Sequence, residues 1–164
     1  MGSSVAAGGE VPLTPEEAAS LWRDVSRWPS FVEGFARVVE KHPEWPAVDS
    51  RVVWESGPGG RGRVTEKVRE HEPRRFSTLV YEKRLAGTQT ALFEPSAAAG
   101  HTMLRVQLEY ELVGAGPFSG LTDVLFIRRA LRDALVRTVR RFRVEAEDQA
   151  GLREPLSDSL DKRS

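Results

Sequence analysis

The chain has 164 residues, with 24 Lys plus Arg set against 24 Asp plus Glu, and no cysteine. That length suits one domain with a substantial core, and the balanced charge supplies no overall field to draw nucleic acid or anionic lipid. The missing thiols exclude disulfides, thiolate nucleophiles and cysteine-based zinc sites, and His42, His71 and His101 lie far apart without ligand spacing, so neither a metal nor a cofactor is expected.

The opening MGSSVAAGGE has neither a basic segment nor an apolar run of the signal-peptide kind. Residues 1–9 read as a flexible tail. The first firm signal is LTPEEAASLW, where Thr14 is placed to cap a helix, Pro15 suits its first position, and Glu17 completes a capping box. Ala18, Leu21, Trp22 and Val25 give this helix one apolar stripe. Pro29 is expected to stop it near Ser26 to Trp28, by turning the preceding residue away from helical angles.

From Ala36 to Leu112 the period drops to about two, in runs broken by turn residues. The runs ARVVEK, SRVVWE, RGRVTEKVRE, RFSTLVYEK, TQTALFE and TMLRVQLEYEL are predicted strands. The breaks between them are HPEWPAVD, GPGG, HEPR, LAG and PSAAAGH, and connections so short favour antiparallel neighbours. After Pro117 the helical period returns. Leu121, Val124, Leu125, Leu131, Leu135, Val139 and Phe142 form one stripe, with Arg129, Arg132, Asp133, Arg137, Arg140 and Arg141 largely off it. Residues 149–164 are polar and read as a disordered tail. No apolar run approaches the roughly 20 residues of a membrane span, so the expected protein is soluble and cytoplasmic, with nothing choosing between monomer and homodimer.

A curved antiparallel sheet needs one face covered, and a long one-sided helix is its natural cover. The order of elements therefore gives an α+β helix-grip fold with two short helices near the N-terminus. TPEEAASLWRDVSRWPSF, GRGRVTEKVREHEPRRFSTLVYE, HTMLRVQLEYELVG and VLFIRRALRDALVRTVRRF, in that order, make the chain resemble the START/Bet v 1-like superfamily, in particular its polyketide cyclase/dehydrase and lipid-transport branch. The resemblance covers Val11 to Glu147 and implies a domain over residues 10–148. One departure stands out, because such chains open on a full strand and GGEVPL offers only a short one.

The resemblance implies a cavity between the concave sheet face and the long helix, lined by inward strand positions. Alternation with Val64 and Val68 turns Glu66 inward, where a carboxylate is costly unless hydrated or paired. Glu66 then accepts a ligand hydroxyl or acts as a general base; the structural alternative is a wet rim or an Arg partner. Tyr110 alternates inward with Leu104, Val106 and Leu108. Its hydroxyl either orients a ligand or donates a proton, or else belongs to a core residue whose tip reaches water. Trp54, Phe76, Phe93, Val68 and Leu108 offer apolar wall from the strands, and Leu125, Leu131 and Leu135 from the helix. In DVSRWPSF, Trp28 and Phe31 are placed to plug the cavity or shape its entrance. For RFSTLVYEK both faces hold apolar residues, so Thr78 and Val80 cannot be set against Leu79 and Tyr81.

The arginines from Arg128 to Arg143 form either a basic patch or a solvated face, and the interrupting Asp133 favours the latter. GPGGRG lies between strands with no following helix, so it reads as a hairpin and not a phosphate loop. Three functions stay open: a carrier of a small hydrophobic or amphipathic ligand, lipid or polyketide-like; an aromatase/cyclase moving protons through Glu66 or Tyr110; and an interaction module like the superfamily's co-chaperone or ribosome-associated members.

Overall fold

The first helix, α1 (Pro15–Arg23), begins as its spacing predicts. Thr14 Oγ1 accepts from the Glu17 amide at 3.3 Å, and the Glu17 carboxylate accepts from the Thr14 amide at 3.1 Å. It ends earlier than expected, and Pro29 does not end it. Asp24 leaves helical angles and its carboxylate caps a single 3-10 turn (Val25–Arg27). Pro29 then falls in the first turn of a second short helix, α2 (Trp28–Phe31), where its lost N–H costs nothing.

The computed structural model describes residues 2–113 and 121–152. In it the strands β1 (Ser3–Val11), β2 (Phe35–Lys41), β3 (Arg51–Ser56), β4 (Arg63–Glu72), β5 (Arg75–Glu82), β6 (Leu85–Pro95) and β7 (Thr102–Leu112) form one antiparallel sheet, ordered β1-β7-β6-β5-β4-β3-β2. The long helix α3 (Leu121–Gly151) packs against β1 and α2. This is the expected helix-grip arrangement.

The expected flexible tail is corrected. Residues 3–11 pair with β7 from Ser3 opposite Tyr110 to Val11 opposite Thr102, so the sheet opens on a full strand. The Ser, Ala and Gly content that suggested a loose start has another cause, which is lack of room. A Cβ on Gly8 would lie 2.8 Å from the Leu104 carbonyl, and one on Gly9 would touch Val139 of α3 at 3.6 Å. LAG is likewise a stretch of β6 and not a break, because Gly87 sits where a Cβ would come within 2.3 Å of the Glu109 carbonyl. At the other end α3 runs through Gly151, past the expected limit of residue 148; the rest of the predicted tail, 153–164, lies outside the described residues.

The core lies between the concave face and the second half of α3. Leu135, Val139, Phe142 and Ala146 are buried there, and Phe142 meets Trp22 and Phe31 with ring centroids 5.3 and 5.0 Å away. The first half of α3 differs from its predicted stripe at Leu125, which is 55% exposed. On β5, where the sequence left the faces open, Phe76, Thr78 and Val80 turn inward while Tyr81 faces out.

Candidate functional site

Alternation in β4 carries Glu66 to the concave face between Val64 and Val68, as expected, and the side chain is buried. Its register fixes its partners. Val52 of β3 and Val80 of β5 lie directly opposite, so the residues two places away on each neighbour, Trp54 and Thr78, flank the carboxylate on the same face. Trp54 Nε1 donates to Glu66 Oε2 at 3.0 Å and Thr78 Oγ1 donates to Oε1 at 3.1 Å. Of the alternatives set out above, this is neither a wet rim nor an Arg ion pair: two neutral donors hold a buried acid. Burial pushes the carboxyl above its ordinary range, and the Trp54 bond, the positive charge of Arg61 and the Thr78 bond only partly offset that.

Glu66 lies on the wall of a cavity of about 60 Å³. Trp54, Phe76, Thr78, Val80, Gln89 and Leu108 line it from the sheet. Trp22, Trp28 and Phe31 close it from the short helices, and Leu131, Ala134, Leu135 and Thr138 from α3. Eight predicted lining positions are thus brought together: Trp28, Phe31, Trp54, Glu66, Phe76, Leu108, Leu131 and Leu135. Four are not. Val68, Phe93 and Tyr110 are buried outside this cavity, and Leu125 stands in solvent, ahead of Leu131, the first of the described α3 residues on the wall.

The second catalytic candidate also changes character. Tyr110 is 4% exposed, yet its hydroxyl neither reaches water nor finds a hydrogen-bond partner among the described residues. Trp28, which DVSRWPSF places to plug the cavity or shape its entrance, is held firmly on its wall: its Nε1 donates to the Trp22 carbonyl at 2.9 Å, and its ring meets Phe35 and Trp45 edge-on. Phe35 in turn stacks on Trp54 at 5.4 Å.

Sequence reasoning missed Arg61, which GPGGRG delivers to the cavity. Ser56 and Gly62 bond across the hairpin, Ser56 N to the Gly62 carbonyl at 2.9 Å and Gly62 N to Ser56 Oγ at 2.8 Å. This sets Arg61 facing inward, its Nε donating to Glu82 Oε2 at 2.5 Å and its guanidinium 5.8 Å from the centre of the Trp54 ring. Also missed was the closure at the far side, where Glu33 lines the cavity and pairs with Arg137 at 3.5 Å and Arg141 at 2.9 Å. Those pairs, together with Arg143 to Glu147, engage three of the seven arginines of the candidate basic face of α3. Among the described residues no cluster of His, Asp and Glu suits a metal, and no helix is long and apolar enough to cross a membrane.

The profile of the family described as polyketide cyclase / dehydrase and lipid transport matches residues 4–147. No curated protein matches the sequence. Solved structures do. The Zhui aromatase/cyclase from Streptomyces sp. R1128 aligns with a TM-score of 0.75 at 14% identity, over 92% of this chain and 96% of that one. A Thermus thermophilus protein gives 0.72 at 17%, over 90% and 99%. A START superfamily protein from Mycobacterium smegmatis gives 0.69 at 14%, over 89% and 98%. At these identities the likeness is one of fold.

Proposed function

The chain belongs to the polyketide cyclase / dehydrase and lipid transport family, and from that premise we propose that it binds a small amphipathic molecule between sheet and α3, with the polar end at Glu66 and the apolar body among Trp28, Phe31, Leu108 and Leu135. The observation that carries this reading is a buried carboxylate on the wall of an otherwise largely aromatic and aliphatic cavity. A solid core gains nothing from such a group, since burying it costs free energy that apolar packing would not. The cavity's 60 Å³ falls below the roughly 300–1,000 Å³ of ordinary small-molecule sites. A ligand of more than a few heavy atoms therefore enters by moving side chains, and Val32 and Leu131, half-buried apolar members of the wall, are free to give way.

Native mass spectrometry of the purified protein tests the reading. A defined apolar adduct is expected, and Ala134→Phe, which fills the cavity from α3, should abolish it. An adduct that survives Ala134→Phe, or none together with no binding of added hydrophobic probes, counts against it.

A second reading, polyketide cyclisation, draws on the convergence of Glu66, Thr78 and Arg61 at one cavity. A carboxyl whose pKa burial raises suits proton transfer to and from an enol. Glu66→Gln should then abolish turnover of a poly-β-keto substrate while leaving its binding intact; equal loss of both would leave only the carrier.

A further inference from the structure

Among the described residues Arg61 makes one side-chain hydrogen bond, through Nε, to a Glu82 carboxylate that is itself only 10% exposed. Its Nη2 is buried with no acceptor among the described residues, although the residue lines the cavity. A buried donor left unmade is costly and calls for an explanation, and of the buried side-chain atoms without a partner among the described residues, Arg61 Nη2 is the charged donor that sits on the cavity wall. The Glu66 carboxylate on the same cavity wall already accepts from Trp54 and Thr78.

Charge decides what kind of acceptor completes Arg61. Its own positive charge is already matched by Glu82. A ligand carboxylate would therefore bring an uncompensated negative charge into a small, largely apolar cavity whose wall already carries the buried Glu66 carboxyl. A neutral carbonyl oxygen accepts the same hydrogen bond without that charge.

We propose that Arg61 is the specificity-determining residue of this cavity, and that its Nη2 selects neutral carbonyl compounds, such as ketones, esters or lactones, over both carboxylates and plain hydrocarbons. The proposal rests on the cavity being a ligand site. It uses the glycine-rich turn for something beyond reversing the chain: the Ser56 and Gly62 bonds hold the arginine's backbone, Glu82 and Trp54 hold its side chain, and one N–H group is left over.

The test is a titration followed by NMR at the Trp54 indole N–H, using acetophenone, benzoate and ethylbenzene as probes of similar size. The wild type is expected to bind acetophenone at least about tenfold tighter than either of the others. Removing Arg61 alone would strand Glu82, so the variant is Arg61→Met combined with Glu82→Gln, which keeps the charge balance. It should lose the preference for acetophenone over ethylbenzene while its ethylbenzene affinity holds. Equal binding of acetophenone and ethylbenzene by the wild type, a preference for benzoate, or an unchanged preference in the double variant would each overturn the selector and leave the cavity standing. Failure of all three probes to bind would overturn the cavity reading and the selector with it.

Discussion

The indole of Trp54 and the carboxylate of Glu66 meet across neighbouring strands at 3.0 Å, both side chains inside the sheet's concave face. The pairing means that Glu66 is neither an ionised surface group turned inward by accident nor half of a salt bridge. It is an acid whose protonation is coupled to folding.

That coupling has a sign. Burial raises the folded carboxyl above 4.5, so over the interval from 4.5 to that higher value the folded chain holds a proton that the unfolded chain has released. Stability is therefore lost as pH rises through the interval, and Glu66 contributes no pH dependence below it. In Glu66→Gln the amide oxygen accepts from Trp54 and the amide N–H donates to the Thr78 hydroxyl, which turns from donor to acceptor as it would toward the protonated acid. Denaturant unfolding at several pH values should show the variant gaining on the wild type as pH rises above about 4.5. A difference that stays flat with pH would mean the carboxyl is not raised.

The two halves of α3 should respond very differently to truncation. Phe142→Ala removes a ring that touches both Trp22 and Phe31 and is expected to cost about 3–5 kcal/mol. Leu125→Ala, at a position in solvent, should stay within about 0.5 kcal/mol. Urea midpoints of the two variants provide the check, and comparable losses would mean that the first half of the helix is packed in solution.

These outcomes also separate what the sequence carries from what it leaves to the fold. The capping box, the strand alternation and the apolar stripe are local, so Thr14, Glu66, Trp54 and Leu135 could be placed from residue type and spacing. Thr78 could not, because β5 has apolar residues on both faces and only its register with β4 and β6 decides between them. Arg61 was hidden by glycines that announce a turn and say nothing about where the turn points. Leu125 was misplaced because periodicity marks the face of a helix and not where its partner surface ends.

Gly87 tests the reading of LAG as strand. With a Cβ there meeting the Glu109 carbonyl at 2.3 Å and the Tyr110 Cα at 3.0 Å, Gly87→Ala must push β6 and β7 apart. The expected loss is about 1–3 kcal/mol, read by thermal or denaturant unfolding. An alanine tolerated without loss would show that β6 and β7 do not approach so closely.

Glu33 supplies a salt-sensitive contact. Its carboxylate is 24% exposed and serves Arg137 and Arg141, which are mostly in solvent, so Glu33→Gln should cost less than about 1 kcal/mol. Repeating the unfolding in about 1 M salt should shrink the difference, since screening there acts within about 3 Å. A loss unchanged by salt would assign the effect to packing at the cavity rim.

The pairing of β1 with β7 joins residues 3–11 to residues 102–110, and it sets a timetable for synthesis. At about 5–20 residues per second, the first strand leaves the ribosome roughly 5–20 seconds before its partner exists. A waiting strand rich in valine or isoleucine would be a template for aggregation. SSVAAGGEV, with two valines among small and polar residues, has little to offer a wrong neighbour in the meantime. The smallness that lets it fit under α3 at the end also keeps it quiet at the beginning.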